Sequence, residues 1–274
     1  MNTRQQPVLI AAGGTGGHMF PAVSLASALS ARGHSILFVT DPRGGLVTSD
    51  VLGLPKTVMR HTISARSLGG GPKGMAAGVK ALAKGFFESR RLIREYKPSI
   101  AVGFGGYPSV PPILAAGFAG LPTVIHEQNA VLGRANRRLA RGAKAFALSF
   151  AQTQRLKSAG HARATVVGNP VRQDIAALAA RPYTPPSGVI DLLIVGGSQG
   201  AQVFSKIAPA AFKSLTAPQR ARFRLAQQCR AEDIDEVRAV YAALNMPVEL
   251  ETFFDDMPSR LAAAHLVVGR AGAS

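Results

Sequence analysis

Four glycines and a histidine lie within six residues near the start of the chain, in the segment Gly13–His18. The apolar run Val8–Ala12 precedes this segment, and a helix-like stretch beginning near Phe20 follows it. Glycines let a backbone approach an anion closely, and a helix N-terminus directs unpaired N–H groups at it. The pattern predicts a phosphate-binding turn. His18 adds a group that can exchange a proton near neutral pH.

The same design recurs later in the chain. The strand-like run Asp191–Val195 leads into the glycine loop Gly196–Ala201 and then into a helical stretch from Val203. A third glycine loop, Gly103–Ser109, also follows an apolar run. Two such strand–loop–helix halves predict two Rossmann-like domains facing a cleft, with an anion-binding loop on each wall.

Short apolar runs alternate with helical stretches from end to end. The runs lack period-2 alternation, as expected of parallel strands that helices cover on both faces. We therefore predict an α/β fold of two doubly wound parallel sheets, with domains at 1–168 and 169–274 and a proline-rich stretch at 181–188 that introduces the second sheet. Ser274 follows a strand as a natural helix N-cap, so we expect that the chain is cut short there.

The composition points to an anionic partner. Lysine and arginine number 32 against 15 acidic residues, which gives a net charge of +17 and a sequence pI near 11.2. Without tryptophan or basic runs interleaved with aromatic residues, the sequence does not favour nucleic acid. Phosphorylated substrates and anionic lipid headgroups fit better. A single cysteine, Cys229, excludes a disulfide within the chain and indicates a reducing compartment.

Residues 75–97 predict a basic amphipathic helix. At ~100° per residue, one apolar stripe contains five side chains: Met75, Val79, Leu82, Phe86 and Ile93. Basic residues accompany the stripe, a composition typical of helices that lie on anionic membranes. The alternative is an ordinary helix that buries the stripe against the sheet. Gly74, Gly78 and Gly85 weaken the helix prediction in its N-terminal part.

Six motifs occur in an order that resembles one family: Gly13–His18, Gly103–Tyr107, His126–Asn129, Gly168–Arg172, Gly196–Ala201 and Phe254–Met257. Together they resemble the bacterial N-acetylglucosaminyltransferases that convert lipid I to lipid II in peptidoglycan synthesis. The resemblance implies a GT-B fold whose first domain binds the lipid acceptor and whose second binds UDP-N-acetylglucosamine. It also implies inverting transfer to the 4-hydroxyl of the muramyl-pentapeptide by a peripheral enzyme on the cytoplasmic face of the inner membrane, without a cofactor.

The resemblance also assigns site residues. Those at the sugar and acceptor end would be Gly14, Thr15, Gly16, Gly17, Gly105, Gly106 and Tyr107. Asn129 would hydrogen-bond the N-acetylglucosamine. The UDP would be held by Arg172 and Ser198. Further substrate-binding residues would be Gln199, Gly200 and Phe254.

The reaction needs a base for the hydroxyl and compensation for the charge of the leaving diphosphate. We predict His18 as the base; the alternative is a turn histidine bonded to the backbone. Glu127 is the second candidate catalytic residue, which would orient His18, bind substrate or merely pair with an arginine. Backbone N–H groups of the second glycine loop would compensate the diphosphate without a metal, and Asp256 is expected to cap a helix.

Family members continue past Ser274 into a helix whose glutamate binds the ribose, so we expect this chain by itself to bind the donor weakly and to have little activity. Two alternatives remain. One is an NAD(P)-type Rossmann oxidoreductase with Asp41 on the ribose, although Met19 stands where the third glycine of its fingerprint belongs. The other is a non-catalytic fragment that binds a nucleotide sugar.

Overall fold

The computed structural model describes residues 6–14, 16–42, 54–69, 71–197 and 200–270. The chain divides into two compact units, Met1–Arg172 and Gln173–Gly272. Each unit is built on one sheet in which every described strand pair is parallel. The predicted α/β class is confirmed.

The first unit contains a seven-stranded sheet of order β3-β2-β1-β4-β5-β6-β7. Its strands are β1 (Val8–Ala11), β2 (Ile36–Thr40), β3 (Met59–Thr62), β4 (Ile100–Gly103), β5 (Thr123–Glu127), β6 (Ala145–Leu148) and β7 (Ala164–Val166). Its helices are α1 (Gly16–Ala31), α2 (Gly71–Tyr96), α3 (Val110–Phe118), α4 (Arg134–Leu139) and α5 (Ser158–His161). The order reverses between β1 and β4, where crossovers leave the sheet in opposite directions and open a crevice.

The apolar strands are buried on both faces. Leu9 and Ala11 of β1 belong to one hydrophobic cluster, whereas Ile10 of the same strand belongs to another. Because successive side chains of a strand point to opposite faces, a strand covered by helices on both sides must be apolar throughout. This packing holds the carboxyl ends of β1 and β4 side by side, with Ala11 paired to Gly103.

Helix α2 runs unbroken from Gly71 to Tyr96, although glycines weakened its prediction. Two of these glycines pack against the segment that precedes the helix. A Cβ at Gly78 would lie 2.7 Å from the carbonyl oxygen of Ser67, and one at Gly85 would clash with that of Ser64. The glycines therefore permit a close approach rather than ending the helix.

The predicted stripe of α2 divides along the helix. Met75 and Val79 are more than half exposed, whereas Ile93 is buried in the core of the first unit. The membrane interpretation therefore applies only to the N-terminal half of the stripe. None of the helices in the described ranges has the length and apolar character needed to cross a bilayer.

The second unit has a four-stranded sheet of order β10-β9-β8-β11. Its strands are β8 (Ile190–Val195), β9 (Phe223–Gln228), β10 (Val248–Glu251) and β11 (Leu266–Gly269). Its helices are α6 (Gln173–Ala176), α7 (Gln202–Lys213), α8 (Ala217–Arg220), α9 (Ile234–Ala243) and α10 (Met257–Ala263). Aromatic side chains of α7 and α9 fill the core, and the free thiol of Cys229 is buried among them.

Candidate active site

The first glycine loop lies at the point where the strand order of the first unit reverses. The loop connects β1 to α1 and lies beside the loop that follows β4, since the Phe104 N–H donates to the Ala11 carbonyl oxygen (2.9 Å). Gly14 has a φ of 94°, and Gly16 and Gly17 form the first turn of α1. Thr15 lies outside the described residues. Such a crevice at the carboxyl ends of parallel strands is where open α/β sheets bind ligands.

The glycines of the β4 loop lie against His18. Gly105 has a φ of 87°, and a Cβ there would lie 3.2 Å from Cε1 and Nδ1 of the His18 ring. Gly106 has a φ of 73°, and a Cβ there would clash with the carbonyl oxygen of Gly13. Tyr107, the first residue of a short 3₁₀ helix, follows directly and is half-buried. Glycine is required at both positions because a larger residue would push the loops apart.

His18 contacts the side chain of Gln128, with its Nδ1 3.2 Å from Gln128 Oε1. The Gln128 amide nitrogen lies 3.0 Å from the Phe104 carbonyl oxygen and 3.0 Å from Nδ1 of His126. His126 Nε2 in turn lies 3.2 Å from the carbonyl oxygen of Gly168. Burial lowers the pKa of His126, whose ring stacks on Phe104 with centroids 5.0 Å apart.

Glu127 is buried and its carboxylate accepts four hydrogen bonds from N–H groups. Oε1 accepts from the backbone (3.1 Å) and side-chain (3.0 Å) nitrogens of Asn129, and Oε2 accepts from Gly133 N (2.9 Å) and Asn136 Nδ2 (2.9 Å). The arrangement shapes the loop between β5 and α4 and leaves Asn129 exposed at its tip. The side chain that touches His18 belongs to Gln128 and not to Glu127. Its catalytic role stays a prediction.

Arg172 is the last residue of the first unit, and its guanidinium carbon lies 5.8 Å from the centre of the Phe20 ring on α1. Asp41, at the end of β2, is only 1% exposed and packs beside Gly13. A carboxylate this buried cannot hydrogen-bond a ribose in the crevice. Asp41 therefore does not support the oxidoreductase alternative.

The second glycine loop is held by a different set of contacts. The Gly196 N–H donates to Gln228 Oε1 (3.1 Å), and a Cβ at Gly200, where φ is 68°, would lie 2.9 Å from Cγ of Arg230. Ser198 and Gln199, both predicted to bind UDP, lie outside the described residues.

A pocket of about 660 Å³ opens at the N-terminus of α7. It is lined by Gly200, Ala201, Gln202, Val203, Arg230, Glu232 and Arg270. Arg230 and Arg270 lie outside the six sequence motifs. Both follow strands adjacent to β8, and the rule that ligands bind at the carboxyl ends of parallel strands would have found them. Glu232 pairs with Arg230, so the pocket keeps one net positive charge, which together with the helix N-terminus suits an anion.

Phe254, predicted to bind substrate, is buried with its ring centre 4.0 Å from the guanidinium carbon of Arg260. Asp256 occupies the N-cap position of α10 as expected, but its side chain makes no capping hydrogen bond. Its Oδ1 accepts from Arg260 Nε instead (2.6 Å). Within the described ranges, no cluster of three His, Cys, Asp or Glu side chains could hold a metal ion.

Two family models match this chain. The model of the glycosyltransferase family 28 N-terminal domain matches residues 8–148, and that of the family 28 C-terminal domain matches residues 191–274. The chain belongs to glycosyltransferase family 28. This membership confirms the resemblance inferred from the six motifs.

One family 28 relative, from Rhodospirillum centenum, is named UDP-N-acetylglucosamine–N-acetylmuramyl-(pentapeptide) pyrophosphoryl-undecaprenol N-acetylglucosamine transferase. It is 48% identical over 270 residues, which cover 98% of this chain and 70% of the relative. Among solved structures, MurG of Acinetobacter baumannii matches with a TM-score of 0.67 and 28% identity, over 98% of this chain and 72% of that one.

A UDP-GlcNAc 2-epimerase from Neisseria meningitidis, solved with UDP-GlcNAc, matches with a TM-score of 0.64 at 13% identity, over 96% of this chain and 77% of that one. At this identity the likeness concerns the fold alone.

Proposed function

We propose that this family 28 chain transfers N-acetylglucosamine from UDP-N-acetylglucosamine to lipid I, the undecaprenyl-pyrophosphate-linked muramyl-pentapeptide, and so forms lipid II for peptidoglycan. The observation that carries the proposal is the 48% identity, over 98% of the chain, to a relative named for this transfer. The site geometry agrees with it, because one unit presents an imidazole at a switch point and the other presents two arginines at a helix N-terminus.

In the proposed mechanism His18 is the general base. It removes the proton of the acceptor 4-hydroxyl as the hydroxyl oxygen forms a bond to the anomeric carbon of the donor sugar. The bond from that carbon to the diphosphate oxygen breaks, and UDP leaves with the electron pair. Attack from the face opposite the leaving group inverts the anomeric carbon. A positioned general base contributes about 10²–10⁴-fold to such a step.

The second unit supports departure of the diphosphate. Arg230 and Arg270 supply positive charge, and N–H groups at the start of α7 supply dipoles. Arg230 pairs with Glu232 and lies 3.9 Å from Asp233, so its guanidinium is held at the pocket wall. Donor binding by the second unit and acceptor binding by the first form part of the proposal, as do the roles assigned to Asn129, Arg172 and the glycines.

An anionic membrane surface is the proposed partner of the first unit, which would make the protein peripheral at the inner membrane. Large apolar side chains lie exposed on α2 and α3: Met75, Val79, Phe87, Leu114 and Phe118. Phe118 is 79% exposed and its ring packs edge-on against Phe86 of α2, 5.6 Å between centres. Exposed Lys73, Lys80 and Lys84 accompany them on α2. Apolar side chains that insert and cations that meet lipid phosphates favour this surface.

Vesicle sedimentation tests the membrane proposal. The chain is expected to bind vesicles containing phosphatidylglycerol and not those of phosphatidylcholine alone. Phe118→Ser should weaken binding, whereas Phe150→Ser should not, although Phe150 is a half-exposed phenylalanine of the same unit. Equal vesicle binding by both variants would show that Phe118 does not contact the membrane, which contradicts the proposed surface.

The transfer itself is tested with labelled UDP-N-acetylglucosamine and synthetic lipid I. Incorporation of label into a lipid II product that disappears in His18→Ala is the expected result. The readout is dependence on His18 rather than the absolute rate, because the chain spans 70% of the relative's length. If donor and acceptor both bind but no product forms, the chain is a nucleotide-sugar-binding protein. If label transfer is unchanged in His18→Ala, the base is wrongly assigned.

A further inference from the structure

The contacts around Gln128 fix the direction in which its side-chain amide points. The carbonyl oxygen of Phe104 can only accept a hydrogen bond, so the group 3.0 Å away must be the Gln128 NH₂. The second hydrogen of that NH₂ is directed to Nδ1 of His126, also at 3.0 Å. With both hydrogens placed on this side, Oε1 of Gln128 is the atom that faces His18.

The direction of the amide determines where His18 carries its proton. An amide oxygen accepts hydrogen bonds and donates none, so Nδ1 of His18, 3.2 Å from Gln128 Oε1, must be the donor. A neutral imidazole has one N–H and one lone pair, so a proton on Nδ1 leaves the lone pair on Nε2.

His126 supports the same arrangement from the other side. To accept from Gln128 at Nδ1, its ring must be neutral and carry its hydrogen on Nε2. That hydrogen has an acceptor, the Gly168 carbonyl oxygen, at 3.2 Å. Burial lowers the pKa of His126, which favours the neutral ring. One assignment of hydrogens thus satisfies all four contacts from Gly168 to His18.

We propose that Gln128 is a positioning residue that holds His18 in the Nδ1–H tautomer and thereby makes Nε2 the atom that receives the acceptor proton. The catalytic consequence rests on the proposed function, whereas the tautomer rests on the hydrogen-bond contacts alone. When the hydroxyl proton moves to Nε2, the ring becomes an imidazolium that still donates from Nδ1 to Gln128 Oε1. The hydrogen bond therefore persists through the step, and the ring need not rotate.

The inference is tested by nuclear magnetic resonance on chain labelled with ¹⁵N in histidine. At about pH 8, where an ordinary imidazole is neutral, ¹⁵N shifts and couplings to the ring protons distinguish the two tautomers. His18 signals are assigned by their loss in His18→Gln. We expect the Nδ1–H pattern in the wild-type chain. An Nε2–H pattern in that chain overturns the inference before any variant is made.

Two variants separate positioning from folding. Gln128→Leu removes the acceptor and should release His18 from the Nδ1–H form. Gln227→Leu is the matched control, because Gln227 is a buried glutamine of the second unit that bonds Tyr241 (2.7 Å) and the Phe204 carbonyl oxygen (3.3 Å). Its His18 signals should match those of the wild type. An unchanged His18 tautomer in folded Gln128→Leu contradicts the proposal.

Kinetics supply the second readout. Loss of the correct tautomer should lower kcat in Gln128→Leu by about 100-fold, within the range of a general base, and leave the KM for UDP-N-acetylglucosamine within about twofold. If the wild-type chain shows the Nδ1–H pattern but transfers no sugar, the proposed function fails and the tautomer stands. If kcat and KM change together, Gln128 acts through the general structure of the unit.

Discussion

The two glycine loops follow the first strand of their own sheets, and each is held by a buried glutamine, but the glutamines hold different groups. Gln128 contacts a side chain, the imidazole of His18. Gln228 accepts from the backbone N–H of Gly196 (3.1 Å) and donates to the carbonyl oxygen of Thr252 (3.1 Å). The same strand–loop–helix design thus presents an imidazole, the proposed proton acceptor, in the first unit and backbone groups in the second.

The two loops also differ in the charge of the side chains around them. The pocket beside the second loop contains Arg230 and Arg270, whereas the imidazole of the first loop is paired with a neutral amide. A phosphate needs fixed positive charge and N–H groups, while a base needs a lone pair. Similar backbone geometry can therefore serve the proposed anion site or the proposed proton transfer, according to the few side chains that surround the glycines.

The largest expected effect tests whether proton transfer belongs to the first loop alone. His18→Ala should lower kcat by about 10³-fold, because among the described residues of this loop only His18 has a side chain that can accept a proton. Binding of UDP to the second unit should be unchanged in isothermal titration calorimetry. A parallel loss of UDP affinity would show that the division between the loops is wrong.

The next largest effect comes from alanine at Gly106, which packs against the first loop from the loop after β4, and at Gly196 of the second loop. Gly106→Ala would push against Gly13 and shift His18, so kcat should fall by about 10²-fold, the cost of a displacement near 1 Å. Gly196→Ala would clash with the backbone of Ala201 and should instead raise the Kd for UDP. Steady-state kinetics and calorimetry on both variants, with circular dichroism to verify folding, measure the contrast. The same kinetic defect in both variants would contradict the proposed difference between the two loops.

Removal of one pocket cation should have a smaller effect. Arg230→Gln should raise the Kd for UDP by about tenfold, since a hydrogen bond to a charged group contributes about 1.5–3 kcal/mol. Arg224→Gln is the control, because Arg224 pairs with Asp191 at the beginning of β8 and β9, the opposite end of the strands. Equal losses in the two variants would indicate a general charge effect.

The smallest effect concerns stability. Burial lowers the pKa of His126 below its usual 6.5, so the unfolded chain binds a proton there at pH values where the folded chain does not. The free energy of unfolding should therefore decline as the pH falls below 6.5. Urea unfolding at about pH 7.5 and about pH 5.5 should show a smaller pH dependence in His126→Gln than in the wild type. His34→Gln, at an exposed site, should keep the wild-type dependence.

The sequence alone determined the parallel α/β class, the positions of the glycine loops and the family. Strands buried on both faces must be largely apolar, and Val8–Ala11 is apolar throughout. Ile36–Thr40 is apolar up to its last residue, and Ile190–Val195 is apolar apart from Asp191. Glycines with positive φ, such as Gly14 and Gly200, are likewise demanded by the local backbone. Such features depend on residues close together in the chain, which a sequence displays directly.

Only the tertiary structure decided which side chain reaches His18. Glu127 and Gln128 are neighbours in one motif, but the backbone directs Glu127 into its own loop and Gln128 toward a histidine 110 positions away in sequence. The glycines of α2 are a second example. Their composition predicts a weak helix, but Ser64 and Ser67 pack against them and require the absence of a side chain. Arg230 and Arg270 converge only because β9 and β11 flank β8. Contacts of this kind depend on strand order and packing, which no local stretch of sequence specifies.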